Sequence, residues 1–174
     1  MGLFYLIQAN CYHPILNFLM KYSRLTKEQF EELHQEFIHF LASQSITAEE
    51  WDVIKQDKPE VAEEELDIFS DLVWEGVLGK VDYLEHISPQ RLLLFHLSEK
   101  NMHVIAISMK NDVDLTTSEG FQWLRENLMD DAVEFLQANK TYSEDKNLDK
   151  FELIKQGAVI TKGDLFRFFN DLVN

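Results

Sequence analysis

Residues 91–109, RLLLFHLSEKNMHVIAISM, decide the fold class of this chain. They contain two apolar runs, RLLLFHLS and NMHVIAISM, that are rich in β-branched and aromatic residues. A polar pair, Glu99 and Lys100, separates the two runs. Runs of this composition around a polar turn are typical of β-strands joined as a hairpin. The segment therefore predicts an antiparallel hairpin in the middle of the chain.

The position of the turn sets the register of this hairpin. A turn centred on residues 99–100 places Leu97 opposite Met102 and His96 opposite His103. Side chains alternate between the two faces of a sheet. One face of the hairpin then carries Leu93, Phe95, Leu97, Met102, Val104 and Ala106. We expect this face to be the packed one.

Helical patterns precede the hairpin. Thr26 opens the capping-box pattern TKEQ and Thr47 opens the pattern TAEE, both of which mark the start of a helix. Apolar residues recur with a helical period over residues 30–41. Residues 59–78 then predict one long helix, which begins at a proline, a residue tolerated in the first helical turn.

The elements after the hairpin complete the pattern. We predict a helix at residues 117–128 and helices at 145–156 and 161–173. Residues 132–136 predict a third strand, although so short an apolar run could equally extend a helix. This order predicts an α+β fold with an N-terminal helical layer, a small mainly antiparallel sheet with a central hairpin, and C-terminal helices. The chain has 174 residues, of which 45% are hydrophobic, so we expect a single α+β domain at residues 20–174.

Residues 1–19, MGLFYLIQANCYHPILNFL, form an apolar N-terminal extension that contains no Asp, Glu, Lys or Arg. The extension lacks the basic region and cleavage site of a secretory signal. It is also too short, and too interrupted by polar residues, to span a bilayer. The composition changes at Met20, which we expect to be the native start, with residues 1–19 a mis-called extension. The alternative is a real apolar arm that packs on the domain or on a partner.

The charge of the chain limits its partners. A net charge of −15 disfavours direct nucleic-acid binding and anionic membranes, because both need clustered Lys and Arg. Residues 49–75, here called the acidic segment, contribute nine of the fifteen excess negative charges. Its acids are Glu49, Glu50, Asp52, Asp57, Glu60, Glu63, Glu64, Glu65, Asp67, Asp71 and Glu75. The segment is either a solvated helix face or a docking surface for a basic protein partner.

Trp74 is the aromatic residue that stands apart in this segment. On a helical wheel it falls about 100° from the main apolar stripe, on the acidic side with Asp67 and Asp71. An aromatic side chain on an acidic face is either covered by the rest of the fold or anchors a partner. The binding residues that we predict here are Trp74, Glu63, Glu64, Asp67 and Asp71.

Histidines supply an enzymatic alternative. His96 and His103 lie opposite each other in the predicted register, where β-carbons approach within about 5 Å. Together with His86, and with Glu85 or Asp82 nearby, they could hold a zinc ion in a small metal-assisted hydrolase. The sequence contains neither a Gly-x-Ser-x-Gly elbow nor a glycine-rich phosphate loop. We therefore expect a non-enzymatic interaction or accessory protein that has no catalytic residues and no cofactor.

Two stretches carry a family resemblance. MKYSRLTKEQFEELHQEFIHFLA, from Met20, and FSDLVWEGVLGKVDYLEH, from Phe69, resemble a family of small Bacteroidetes proteins classified as a domain of unknown function. The resemblance covers the chain from Met20 onward. It implies a cytoplasmic bacterial protein that starts at Met20, and it brings no catalytic residues. The single cysteine, Cys11, permits no intramolecular disulfide and also favours the cytoplasm.

Overall fold

The computed structural model describes residues 20–173, so the predictions for residues 1–19 lie outside the described residues. Helices and strands follow one another as α1 Lys27–Glu32, α2 His34–Ser43, α3 Ala48–Asp57, α4 Pro59–Leu78, β1 Tyr83–Ser88, β2 Arg91–Leu97, β3 Asn101–Met109, α5 Ser118–Glu126, β4 Val133–Thr141, α6 Lys146–Lys155, β5 Val159–Ile160 and α7 Asp164–Val173. The predicted α+β fold class is confirmed. Contacts group the described residues into two compact units, 20–72 and 73–173.

Capping residues start two helices of the first unit, α1 and α3. Both predicted capping boxes are present, because the hydroxyls of Thr26 and Thr47 each accept the backbone N–H three residues on. The core of this unit is a group of aromatic rings around Phe69. The Phe69 ring centroid lies 5.8 Å from that of Phe30, 5.1 Å from Phe37 and 5.4 Å from Phe40. Offset and edge-to-face pairs at such distances add to the free energy gained by burying the rings.

The first predicted helix is divided in two. Leu33 has φ −100° and ψ 20°, and it ends α1 and precedes α2. Neither proline nor glycine lies at this break, which the apolar periodicity did not predict. Phe30 lies before the break and Phe37 after it, and their rings meet edge to face at 5.8 Å. The division therefore leaves the aromatic side chains of α1 and α2 in one cluster.

The second unit is built on a five-stranded sheet. The strand order is β4-β3-β2-β1-β5, and every neighbouring pair is antiparallel. The predicted hairpin register is confirmed, with Leu97 opposite Met102 and His96 opposite His103. The sequence analysis did not predict β1, which the chain enters shortly after the end of α4.

The two faces of the sheet are packed unequally. On one face, the central strands bury Leu92, Leu94, Ile105 and Ile107, and α5 and α7 contribute Leu124, Phe166 and Phe169 to the same core. The face that we expected to be packed is the other one, and it carries a second, smaller core in which Leu97 and Met102 are buried together with Leu84 of β1. Phe95 and Val104 on this face are half-buried and line a groove of about 370 Å³ beside α6.

No helix within residues 20–173 combines the length and the hydropathy that crossing a bilayer demands.

Candidate functional site

An apolar groove lies at the start of the acidic segment, in the first unit. Ser45, in the turn between α2 and α3, has φ 62°, and the N–H of Ile46 donates to the carbonyl of Leu41 at 2.9 Å. This tight turn ends α2 and leads into α3. The resulting groove has a volume of about 440 Å³ and is lined by Ser45, Ile46, Glu49, Glu50, Val53 and Ile54.

Negative charge frames the groove. Glu49 and Glu50 are exposed in the first turn of α3, where the helix dipole favours carboxylates. The Glu50 carboxylate accepts the backbone N–H of Thr47 at 2.8 Å. That bond, followed by the interaction with the Thr47 side chain, lowers the pKa of Glu50 below its ordinary value of 4.5. Glu50 is therefore ionised at neutral pH.

Val53 gives the groove an exposed apolar floor. Its relative exposure is 56%, and it lines the groove together with Ile46 and Ile54. Val53 therefore places an exposed apolar side chain beside the exposed carboxylates of Glu49 and Glu50. Chemically, the groove can take an apolar side chain flanked by cationic groups.

Two of the predicted binding residues form ion pairs within the fold. Arg24 pairs with Glu63, and its Nε donates to Oδ1 of Asp67 at 2.6 Å. These bonds, with Asp67 contributing more than Glu63, raise the pKa of the Arg24 guanidinium above its ordinary value. Arg24 therefore neutralises part of the negative charge of the acidic segment and ties the chain before α1 to α4.

Asp71 also serves the fold of the first unit. Its side chain is buried, and its two carboxylate oxygens accept the backbone N–H groups of Lys21 at 2.7 Å and Tyr22 at 2.9 Å. Because this carboxylate is buried and both of its oxygens hold the chain before α1, Asp71 contributes to the fold of the first unit. Glu64 is half-buried, with part of its surface open to solvent.

Trp74 belongs to the second unit. It is half-buried, and its ring meets the ring of Phe151 on α6 edge to face, with centroids 4.9 Å apart. The indole is thus partly covered by the protein's own residues and keeps some exposed surface. Its predicted role as a partner anchor stays a prediction.

The structure brings together two of the three predicted metal ligands. The His96 ring stacks on the Tyr83 ring, with centroids 4.9 Å apart. The rings of His96 and His103 both lie against the Phe166 ring, with centroid distances of 5.4 and 5.3 Å. His86 pairs with Leu93 in the sheet register, so alternation places it on the opposite face from His96.

Nearby groups also have other partners. Nε2 of His103 lies 3.0 Å from the amide oxygen of Gln137, and buried Glu85 accepts a hydrogen bond from the Thr161 hydroxyl at 3.0 Å. Within residues 20–173, no three His, Cys, Asp or Glu side chains converge closely enough to bind a metal ion.

Sequence reasoning missed the groove on α3, although a signal for it exists. Val53 follows Glu49 by four residues and Glu50 by three, so it lies next to each of them on the helix surface. An apolar residue at the centre of an acidic helix side was the observable pattern. The turn that brings Ile46 beside them depends on the positive φ of Ser45, which the residue type did not indicate.

Comparisons with known proteins place the chain in a family. The sequence model described as "Family of unknown function (DUF6495)" matches residues 20–174. The match begins at the residue where the composition changes and covers every helix and strand described above. A search of the curated proteins and a search of the solved structures each gave no match.

Proposed function

We propose that this chain, which belongs to the family of unknown function DUF6495, is a non-enzymatic interaction module that binds a basic protein partner through its acidic segment. The observation that carries the proposal is the apolar groove of about 440 Å³ framed by Glu49 and Glu50. We further propose that it acts in the bacterial cytoplasm and needs no cofactor.

The groove and the surrounding charge favour a partner of particular chemistry. Its floor of Ile46, Val53 and Ile54 suits an apolar side chain, which gains free energy by leaving water. Its carboxylates suit Lys or Arg on either side of that side chain. We therefore propose that the partner offers a short basic segment with an apolar residue at its centre.

Charge outside the groove has a different role. Nine of the fifteen excess negative charges belong to the acidic segment, and a field of this kind accelerates the encounter with a cationic partner. Glu63, Glu64 and Asp67 add to that field, even though Arg24 offsets part of it. We expect Asp71 to support the fold, and we keep Trp74 as a predicted second contact.

Charge removal tests the steering role. We expect the triple variant Asp52→Asn, Asp57→Asn and Glu60→Gln, none of which lines the groove, to lower the association rate roughly 3- to 10-fold at low salt, with a much smaller change in the dissociation rate. All three side chains are exposed, so the free energy of unfolding should change by about 0.5 kcal/mol or less. The measurement is surface plasmon resonance on the partner recovered by affinity capture from the host.

A matched control separates the acidic segment from net charge. The triple variant Glu119→Gln, Glu126→Gln and Glu144→Gln removes the same charge from exposed positions outside the segment. It should change the association rate less than twofold. Equal slowing by both triple variants would show that the acidic segment has no specific role.

The groove itself needs a separate variant. We expect Val53→Ser to raise the dissociation rate roughly 5- to 10-fold, because it removes an apolar contact without changing charge. Met129→Ser is the control, since Met129 is a still more exposed apolar residue elsewhere. A dissociation rate unaltered by Val53→Ser would exclude the groove as the anchor site.

A further inference from the structure

Strand β4 is a long and exposed sheet edge. It spans nine residues, Val133–Thr141, and stands at one end of the strand order, so among residues 20–173 it pairs with β3 alone. Most of its side chains are exposed, and Leu136 has a relative exposure of 62%. Unpaired backbone groups along such an edge are a template for another strand.

The hydrogen-bond pattern shows which backbone groups point outward. The N–H of Lys110 donates to the carbonyl of Ala132 at 2.8 Å, in the position that continues the β3–β4 register. Hydrogen-bonded and non-bonded pairs alternate along an antiparallel ladder. Even-numbered residues of β4 therefore bond to β3, whereas Phe135, Gln137 and Asn139 direct their N–H and C=O groups away from the sheet.

We propose that β4 pairs with β4 of a second copy of this chain, antiparallel and centred on Gln137. The sequence VEFLQANKT is self-complementary about that residue. In this register Glu134 lies opposite the partner's Lys140, and by symmetry Lys140 lies opposite the partner's Glu134. Opposite charges in directly facing positions stabilise a strand pair.

The remaining positions agree with this register. Gln137 faces its own symmetry mate and Phe135 faces the partner's Asn139, so outward-pointing backbone groups meet and form about six hydrogen bonds. Leu136 faces the partner's Ala138, which covers part of the exposed leucine. The N–H of Val133 already donates to Asp130 at 2.9 Å, so the new ladder is confined to the middle of the strand.

Other registers fit less well. A shift by one residue places inward-pointing backbone groups opposite outward-pointing ones. A shift by two residues keeps the backbone pattern but places Glu134 opposite Ala138 or Tyr142 of the partner, which removes both charge pairs. The other end of the sheet offers β5, which has only two residues, and short edge strands pair poorly.

Charge reversal tests both the dimer and its register. The wild-type chain should show a concentration-dependent dimer by sedimentation velocity at about 0.15 M salt. Glu134→Lys alone and Lys140→Glu alone each place like charges opposite each other twice per dimer, so each should raise the dimer dissociation constant roughly tenfold or more. Mixed together, the two variants should form a heterodimer, because every facing pair is then Lys with Glu.

Three controls make the result decisive. Lys162→Glu changes the net charge as Lys140→Glu does, but at an exposed position beside the opposite sheet edge, so it should leave the dimer unchanged. Gln137→Pro removes one outward N–H, which an edge strand tolerates, and should abolish the dimer. Circular dichroism establishes that each variant is folded. A wild-type chain that stays monomeric up to about 300 μM, where pairing of this kind should be visible, or a mixture that fails to associate, would overturn the proposal.

Discussion

Replacing Phe169 with alanine should lower the free energy of unfolding by about 3–5 kcal/mol. Phe169 has a relative exposure of 0% and lies in the main core of the sheet unit. Its ring contacts the rings of Phe135 on β4 and Phe168 on α7, with centroids 6.2 and 5.0 Å apart. Removal of the ring costs its transfer free energy and leaves a cavity between α7 and the sheet. Urea denaturation followed by circular dichroism measures the loss.

Its neighbour Phe168 is the matched control. The two phenylalanines are adjacent on α7, but Phe168 has a relative exposure of 48%. We expect Phe168→Ala to cost about 1.5 kcal/mol or less, because less apolar surface returns to water. Similar losses for the two variants would mean that α7 does not pack on the sheet through the side that carries Phe169.

Local rules explain the parts of the fold that were predictable. The capping boxes at Thr26 and Thr47 are each complete within four residues, so the sequence alone identifies them. The hairpin register follows from its turn and from the alternation of side chains, and it was predicted correctly at His96 and His103. In both cases the interacting groups lie close together in the chain.

Contacts between residues far apart in the chain explain the features that the sequence analysis missed. Both sides of the hairpin are apolar, so the sequence did not reveal that α5 and α7 would bury Leu94 and Ile105 more fully than Phe95. The carboxylate of Asp67 meets Arg24 across 43 residues, a pairing that helical wheels cannot show. Predicted binding acids therefore proved to be partly structural.

The second large loss of stability is expected on substitution of Lys150, a residue that contacts groups far away in the chain. Its relative exposure is 1%, and its Nζ donates to the carbonyl oxygens of Leu78 and Val81, at 2.7 Å each. Leu78 is the last residue of α4, where carbonyl groups have no partner within the helix. Lys150 on α6 thus satisfies the end of α4 and the chain that leaves it.

Lys150→Met keeps the apolar stem of the side chain but removes these two hydrogen bonds. We expect the free energy of unfolding to fall by about 2–4 kcal/mol, because two carbonyl groups lose their donor in a buried site. Lys155→Met on the same helix is the control. Lys155 forms an exposed ion pair with Glu152, so its loss should cost about 0.5 kcal/mol or less.

The pH dependence of the stability difference between the wild type and Lys150→Met tests whether folding changes the pKa of the buried amine. Burial, followed by the charge of nearby Lys146, lowers the pKa of Lys150 below its ordinary value of 10.5. The unfolded chain therefore binds the proton more readily than the folded one at pH values just below 10.5, and stability rises with pH there. The stability gap between the wild type and Lys150→Met should accordingly widen from about pH 7 to about pH 10. A gap that stays constant over this range would show that folding does not lower the pKa of Lys150, and a gap that narrows would show that folding raises it.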